Sequence, residues 1–124
     1  MHGDIVYIEL ALQRDKLNQT KSFYEQLFGW IFHESFLTEK KYFMFQTPRK
    51  KLSGALDENV QASIHGAQMY VEVDSIESIF SRLPLFPEAY ILKDKTFISK
   101  EYGHYALIVD PSGNRIGLQE DPKE

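Results

Sequence analysis

The chain has no cysteine. That removes disulfides, thiolate nucleophiles and every cysteine-based zinc site, and it fits a reducing compartment. Long hydrophobic runs are missing too. No stretch approaches the ~18 apolar residues of a membrane-spanning helix, so no membrane partner is expected. Residues 1–4 carry neither a basic n-region nor an apolar h-region, so no secretory signal is expected and the cytoplasm is the expected location. Positive charge is not in excess: 14 Lys and Arg stand against 18 Asp and Glu, a formal net charge of −4. Such a chain gains no long-range attraction to nucleic acid or anionic lipid, and no nucleic-acid partner is expected. Its one basic cluster, Arg49-Lys50-Lys51 beside Lys40 and Lys41, is short and reads as a solvated turn. There is no dinucleotide-binding glycine fingerprint, no P-loop and no nucleophile elbow.

What is present is an ordinary globular balance: 124 residues, 43% hydrophobic and 26% charged. That length forms one domain with a core of its own. Ile5 to Leu12 is β-branched, aromatic and partly alternating, and predicts a strand. Asp15 is placed to cap a helix whose apolar face is Leu17, Thr20, Tyr24, Leu27 and Phe28, with Gly29 at its C-cap. Strands are expected over 30–36 and 42–47, a turn at 48–51, and a short fourth strand at 53–56. Residues 57–66 are small and polar, a linker by composition.

The same order then starts again. Gln68 to Val73 predicts a strand. Asp74 with Glu77 resembles a capping box, and Ile76, Ile79, Phe80 and Leu83 make one apolar helix face that Pro84 and Pro87 end. Strands are expected at 89–92, 96–99, 105–109 and 115–119. Asp110-Pro111-Ser112-Gly113 suits a type I turn position by position. The repeat is visible in residues as well: Val6-Tyr7-Ile8-Glu9-Leu10 matches Met69-Tyr70-Val71-Glu72-Val73. Strand parity sorts the faces. Ile8, Leu10, Met69, Val71, Val73, Ile116 and Leu118 are apolar and expected against the helices. Tyr7, Glu9, Gln68, Tyr70, Glu72, Arg115 and Gly117 take the opposite face, which suits either a solvated surface or the lining of a small-molecule pocket.

Three segments carry a family resemblance. Ser22 to Trp30 resembles the helix-to-strand passage of the vicinal oxygen chelate superfamily, the group of glyoxalases, bleomycin-resistance proteins and extradiol dioxygenases. Asp110 to Leu118 resembles its hairpin before the last strand, and Tyr70 to Asp74 its second-module opening. The resemblance spans nearly the whole chain. It implies an α+β fold of two βαβββ modules, about 4–56 and 67–120 around a linker at 57–66. The modules would form a curved eight-stranded cup with helices on the convex face, often completed between two chains, and sheet edges left unpaired after one cup make a homodimer the expected state. It also implies a divalent metal held by four His, Gln or Glu side chains on the first and last strands of the two modules. Carried over one at a time, the first ligand position falls on Tyr7, or on Ile5 or Glu9 under other alignments. The second falls near Phe45, the third on Gln68 and the fourth on Gly117. Phenylalanine and glycine offer no donor, so no metal and no other cofactor is expected. The four histidines, His2, His33, His65 and His104, lack ligand spacing. His104, just before a strand, is the one expected near the cup mouth.

The expected site is thus Tyr7, Glu9, Phe45, Gln68, Tyr70, His104 and Gly117. A cup lined by these residues would bind or sequester an aromatic, apolar or cationic small molecule through stacking and cation–π contacts. The alternatives are a glyoxalase-like lyase or isomerase, or a dioxygenase-type enzyme, with atypical or no metal, and an interaction domain with a collapsed cup. Glu9 and Glu72, at matching places in the repeat, are open as an acid–base pair. Trp30 is expected to be a packing residue.

Overall fold

The computed structural model describes residues 3, 5–34, 42–49, 52–63 and 65–123. The basic cluster members Lys40, Lys41, Lys50 and Lys51, with His2 and the far end of the expected second strand, lie outside the described residues. The chain divides into two compact units, Met1–Ala62 and Ser63–Glu124. Each runs strand, helix, three strands, and each holds a four-stranded mixed sheet. The α+β class and the duplicated βαβββ order are therefore as the sequence implied.

Unit 1 contains β1 (Tyr7–Ala11), α1 (Leu17–Phe28), β2 (Ile31–Glu34), β3 (Tyr42–Gln46) and β4 (Ser53–Asp57). Its sheet order is β1-β4-β3-β2, with β1 parallel to β4. A one-turn 3-10 segment, Arg14–Lys16, precedes α1, and no side chain caps the helix. The expected cap, Asp15, is spent inside that turn. Gly29 ends α1 in the left-handed region at φ 71°, where a side chain would be strained. That reversal puts Trp30 back under the helix. Its ring stacks at 4.5 Å on Tyr24 of α1 and at 4.4 Å on Phe45 of β3. Trp30 is 4% exposed and packs as expected.

Unit 2 contains β5 (Met69–Glu72), α2 (Ile76–Arg82), β6 (Tyr90–Ser99), β7 (Gly103–Val109) and β8 (Arg115–Glu120), in sheet order β5-β8-β7-β6. The two strands expected over 89–99 are one ten-residue strand, β6. Its pairing with β7 shifts register between Ile91 and Lys93, again between Lys93 and Thr96, and between Phe97 and Ser99. Those irregularities blur the alternation that a sequence reading relies on. The α2 cap is Ser75, one residue beyond the expected Asp74; its hydroxyl accepts the Ser78 N–H at 3.1 Å. Glu120 from β8 supplies the other acceptor, taking the Ile76 N–H at 2.7 Å.

The hairpin between β7 and β8 closes as expected. Gly113 N–H donates to the Asp110 carbonyl at 3.0 Å. The Asp110 carboxylate, 1% exposed, accepts the Ser112 and Asn114 N–H groups and the Asn114 amide. A buried carboxylate satisfied by three donors fixes the turn.

Candidate functional site

Cross-strand partners share a face, so the register assigns every strand residue. In unit 1, Ile8, Gly54, Phe45 and Phe32 form one row, and Leu10, Leu56 and Phe43 the next on the same face. This is the α1 side: Phe45 lies in the stack with Trp30 and Tyr24, and Lys21 of α1 sits 5.9 Å and 5.7 Å from the ring centroids of Phe32 and Phe43. The opposite, open face carries Tyr7 with Ser53 and Gln46, Glu9 with Ala55, Met44 and His33, and Ala11 with Asp57 and Tyr42.

Phe45, expected beside Tyr7, is thus on the other side of the sheet and 1% exposed. The reason is register. The last strand of the first module is β4, and the β4 residues beside Tyr7 and Glu9 are Ser53 and Ala55. Phe45 belongs to the neighbouring β3, at the parity that packs under α1.

On the open face the structure gathers a cluster the sequence reading had only in part. Tyr7 and Tyr42 hydroxyls meet at 2.7 Å, and the Tyr42 hydroxyl also bonds Glu9. The two tyrosines stand one row to either side of Ala55, which is fully covered at 0% exposure. Partial burial, then the hydrogen bonds to Tyr7 and Glu9, push the Tyr42 phenol well above its ordinary value of 10.0. Tyr42 therefore keeps its proton throughout the physiological range. The signal for Tyr42 was in the sequence: it shares parity with Met44 and Gln46, whereas Phe43 and Phe45 share the buried one.

In unit 2 the α2 side carries Met69, Ile116 and Ile108 in one row, Val71, Leu118 and Ala106 in the next, then Glu120 with His104. His104 pairs with Phe97 on β6, ring to ring at 5.4 Å. It stands on the face that Glu120 shares with α2, away from Tyr70. The open face carries Tyr70, Gly117, Leu107 and Lys93, and beside them Glu72, Gln119, Tyr105 and Thr96. Tyr70 and Tyr105 rings lie edge to face at 6.4 Å, and Lys93 stands 5.7 Å from the Tyr105 centroid. Tyr105 and Lys93 were not among the expected site residues; the irregular register of β6 hid Lys93.

The Tyr70 ring lies flat across Gly117. A Cβ at 117 would come within 2.4 Å of the ring, closer than any non-bonded carbon contact permits. Gln68 stands one residue before β5. Its amide nitrogen donates to the Met69 carbonyl at 2.9 Å and the Arg115 carbonyl at 3.5 Å. Its carbonyl oxygen is buried with no hydrogen-bond partner among the described residues.

These residues do not fit the metal that the fold family implies. A divalent ion needs several converging oxygen or nitrogen donors. At the expected positions Phe45 has none and is in the core, Gly117 has none and is covered, and Tyr7 is engaged with Tyr42. Among the described residues, no three His, Asp or Glu side chains come together in a group that could hold an ion.

No family model matches the sequence, and no curated protein matches it. Similarity lies in solved structures. A fosfomycin resistance protein, FosX, from Listeria monocytogenes, in a variant complexed with Mn(II) and a dihydroxypropylphosphonic acid, superposes with a TM-score of 0.75 at 13% identity, covering 98% of this chain and 94% of that one. An antibiotic binding protein, TnmS3, from a Streptomyces species gives 0.67 at 15% identity, covering 97% of each chain. A member of the glyoxalase/bleomycin resistance protein/dioxygenase superfamily from Sphaerobacter thermophilus gives 0.66 at 14%, covering 97% and 98%. These likenesses show the fold: this chain shares the duplicated βαβββ fold of these vicinal oxygen chelate structures. Likeness at this level of identity speaks for the fold, and function has to be argued from the open faces themselves.

Proposed function

We propose that this protein binds or sequesters a small aromatic or apolar molecule on the tyrosine-bearing open faces of its sheets, without a catalytic metal. One observation carries the reading: where the fold family places a metal donor, the Tyr70 ring covers Gly117. An aromatic surface stands in place of a donor set, and aromatic surface is what stacks on apolar ligands. The likeness to an antibiotic binding protein of the same fold supports it. An enzyme of glyoxalase or dioxygenase type needs donors that these positions do not offer. We propose further that the protein acts as a cytoplasmic homodimer.

The test is a thermal-shift screen of aromatic and apolar compounds, since a ligand that binds only the folded state raises its melting temperature. With a hit in hand, Tyr70→Ala is expected to weaken binding more than tenfold, as loss of a packed aromatic contact does. Phe45→Ala is expected to lower the melting temperature of the free protein, because Phe45 is a core residue. Unchanged affinity in Tyr70→Ala would sink the proposal.

A further inference from the structure

The open face of unit 1 has an unusual balance of hydrogen-bonding groups. A carboxylate only accepts, so the Tyr42 hydroxyl donates its proton to Glu9. The 2.7 Å contact between the two phenols then needs a donor, and only Tyr7 has a proton left to give. The chain of donation runs Tyr7 to Tyr42 to Glu9, and both hydroxyl protons are consumed within it. What the Tyr7–Tyr42–Glu9 chain presents outward is acceptor capacity: lone pairs on Tyr7 and the remaining lone pairs of Glu9, with Ser53 and Gln46, which can accept or donate, in the Tyr7 row.

Glu9 is exposed and Tyr7 is 37% exposed, so a ligand can reach both. Among the described strand residues of this face the one basic side chain is His33, in the Glu9 row but three strands away, ~14 Å at the usual strand spacing. Lys21 serves the opposite face, over Phe32 and Phe43. Nothing on this side of the described sheet neutralises Glu9.

We infer that the open face of unit 1 is a subsite for a cationic head group, a protonated amine, with Glu9 as its counter-ion and Tyr7 as acceptor and ring wall. An ammonium brings what this cluster lacks, N–H donors and positive charge, and tyrosine faces attract cations. Because Tyr42 keeps its proton, the donation chain holds its direction across the physiological range. The inference rests on the ligand-binding reading above and narrows it to a ligand class. Aromatic contact supplies the bulk of the affinity, and Glu9 supplies the choice of sign.

The experiment uses the full chain and three matched probes, 2-phenylethylammonium, 2-phenylethanol and 3-phenylpropionate, followed by two-dimensional amide NMR titration. The ammonium is expected to bind about five- to tenfold more tightly than the alcohol, the range of an exposed ion pair plus a cation–π contact. The propionate is expected to be weakest, and shifts should centre on residues 7, 9, 42, 53 and 55. Glu9→Gln should collapse the ammonium-to-alcohol ratio toward one, and Tyr7→Phe should reduce it partway. Glu101→Gln, an exposed carboxylate beyond β6, should keep it. Equal binding of ammonium and alcohol, a preference for propionate, or an unchanged ratio in Glu9→Gln would overturn the cationic subsite while leaving the ligand-binding reading standing. Saturating probes that shift no open-face residue would overturn both.

Discussion

Two glycines show how much a single missing side chain decides. Gly54 on β4 and Gly117 on β8 are both buried, but their surroundings differ in kind. A Cβ at 54 would meet the Ile8 carbonyl at 2.3 Å and the Phe45 ring at 2.7 Å, on the packed side of unit 1. A Cβ at 117 would meet the Tyr70 ring first, at 2.4 Å, and Tyr70 is 49% exposed. A backbone carbonyl held in a ladder cannot step aside, whereas a half-exposed ring can rotate into water. Gly54→Ala is therefore expected to cost more than Gly117→Ala, ~3 kcal/mol against ~1 kcal/mol on the scale of overpacked cores. Urea denaturation of both variants checks the order, and a larger loss at 117 would contradict it. Parity alone made the faces of Tyr7, Glu9, Tyr70 and Gly117 legible in the sequence. The face of Phe45 was misread because the family's second ligand position was carried onto the strand at 42–47 and not onto the fourth strand at 53–56 that lies beside Tyr7 and Glu9.

At the scale of elements, Glu120 is the residue that ties unit 2 together. From β8 it accepts the first N–H of α2 and pairs at 3.3 Å with Lys95 of β6, which also reaches Glu77 of α2 at 3.1 Å. Burial alone would raise the Glu120 carboxyl. The Ile76 N–H and the Lys95 ammonium outweigh it and hold the group below its ordinary value of 4.5. A depressed carboxyl contributes stability that is present above the unfolded-state value and is lost as pH falls through the folded one. Glu120→Gln should therefore cost ~1–2 kcal/mol at neutral pH, the loss of charge-assisted hydrogen bonds in a buried setting. It should also flatten the acid limb of a stability-versus-pH curve. A variant that loses stability below pH 4.5 as steeply as the parent would show that Glu120 is not the group responsible. None of this was visible beforehand. The sequence pointed to Asp74 and Glu77 as a capping box, but the acceptor for Ile76 comes from a residue 44 positions away, and no local pattern encodes that. The duplicated strand–helix–strands order was legible because apolar periodicity is local. The merging of two expected strands into β6 was not, because it depends on pairing with β7.

On the whole molecule, the edge strand β6 leaves a run of large apolar residues in water. Tyr90, Ile91, Leu92, Phe97 and Ile98 are 41% to 61% exposed, and an exposed edge with such side chains needs a cover. The segment reads symmetrically, Ile91-Leu92 then Lys93-Asp94-Lys95-Thr96 then Phe97-Ile98. Across a two-fold axis at its centre, Ile91 would face Ile98 and Leu92 would face Phe97 of a second copy, and Asp94 would face Lys95. That supports the proposed homodimer. Light scattering at micromolar concentration is expected to give twice the chain mass, falling toward the single-chain mass in Phe97→Asp. A strict monomer in the parent chain would contradict it.

The ring of Tyr70 across Gly117 also constrains descent. A donor side chain introduced at 117 while Tyr70 stands must push the ring out of its place, since its first carbon already collides with it. Shortening Tyr70 alone would strip the aromatic surface and supply no donor in exchange. Either step taken singly disturbs the aromatic surface. A covering ring and a donor at 117 are thus alternatives for one volume, and exchanging one for the other in place involves both residues.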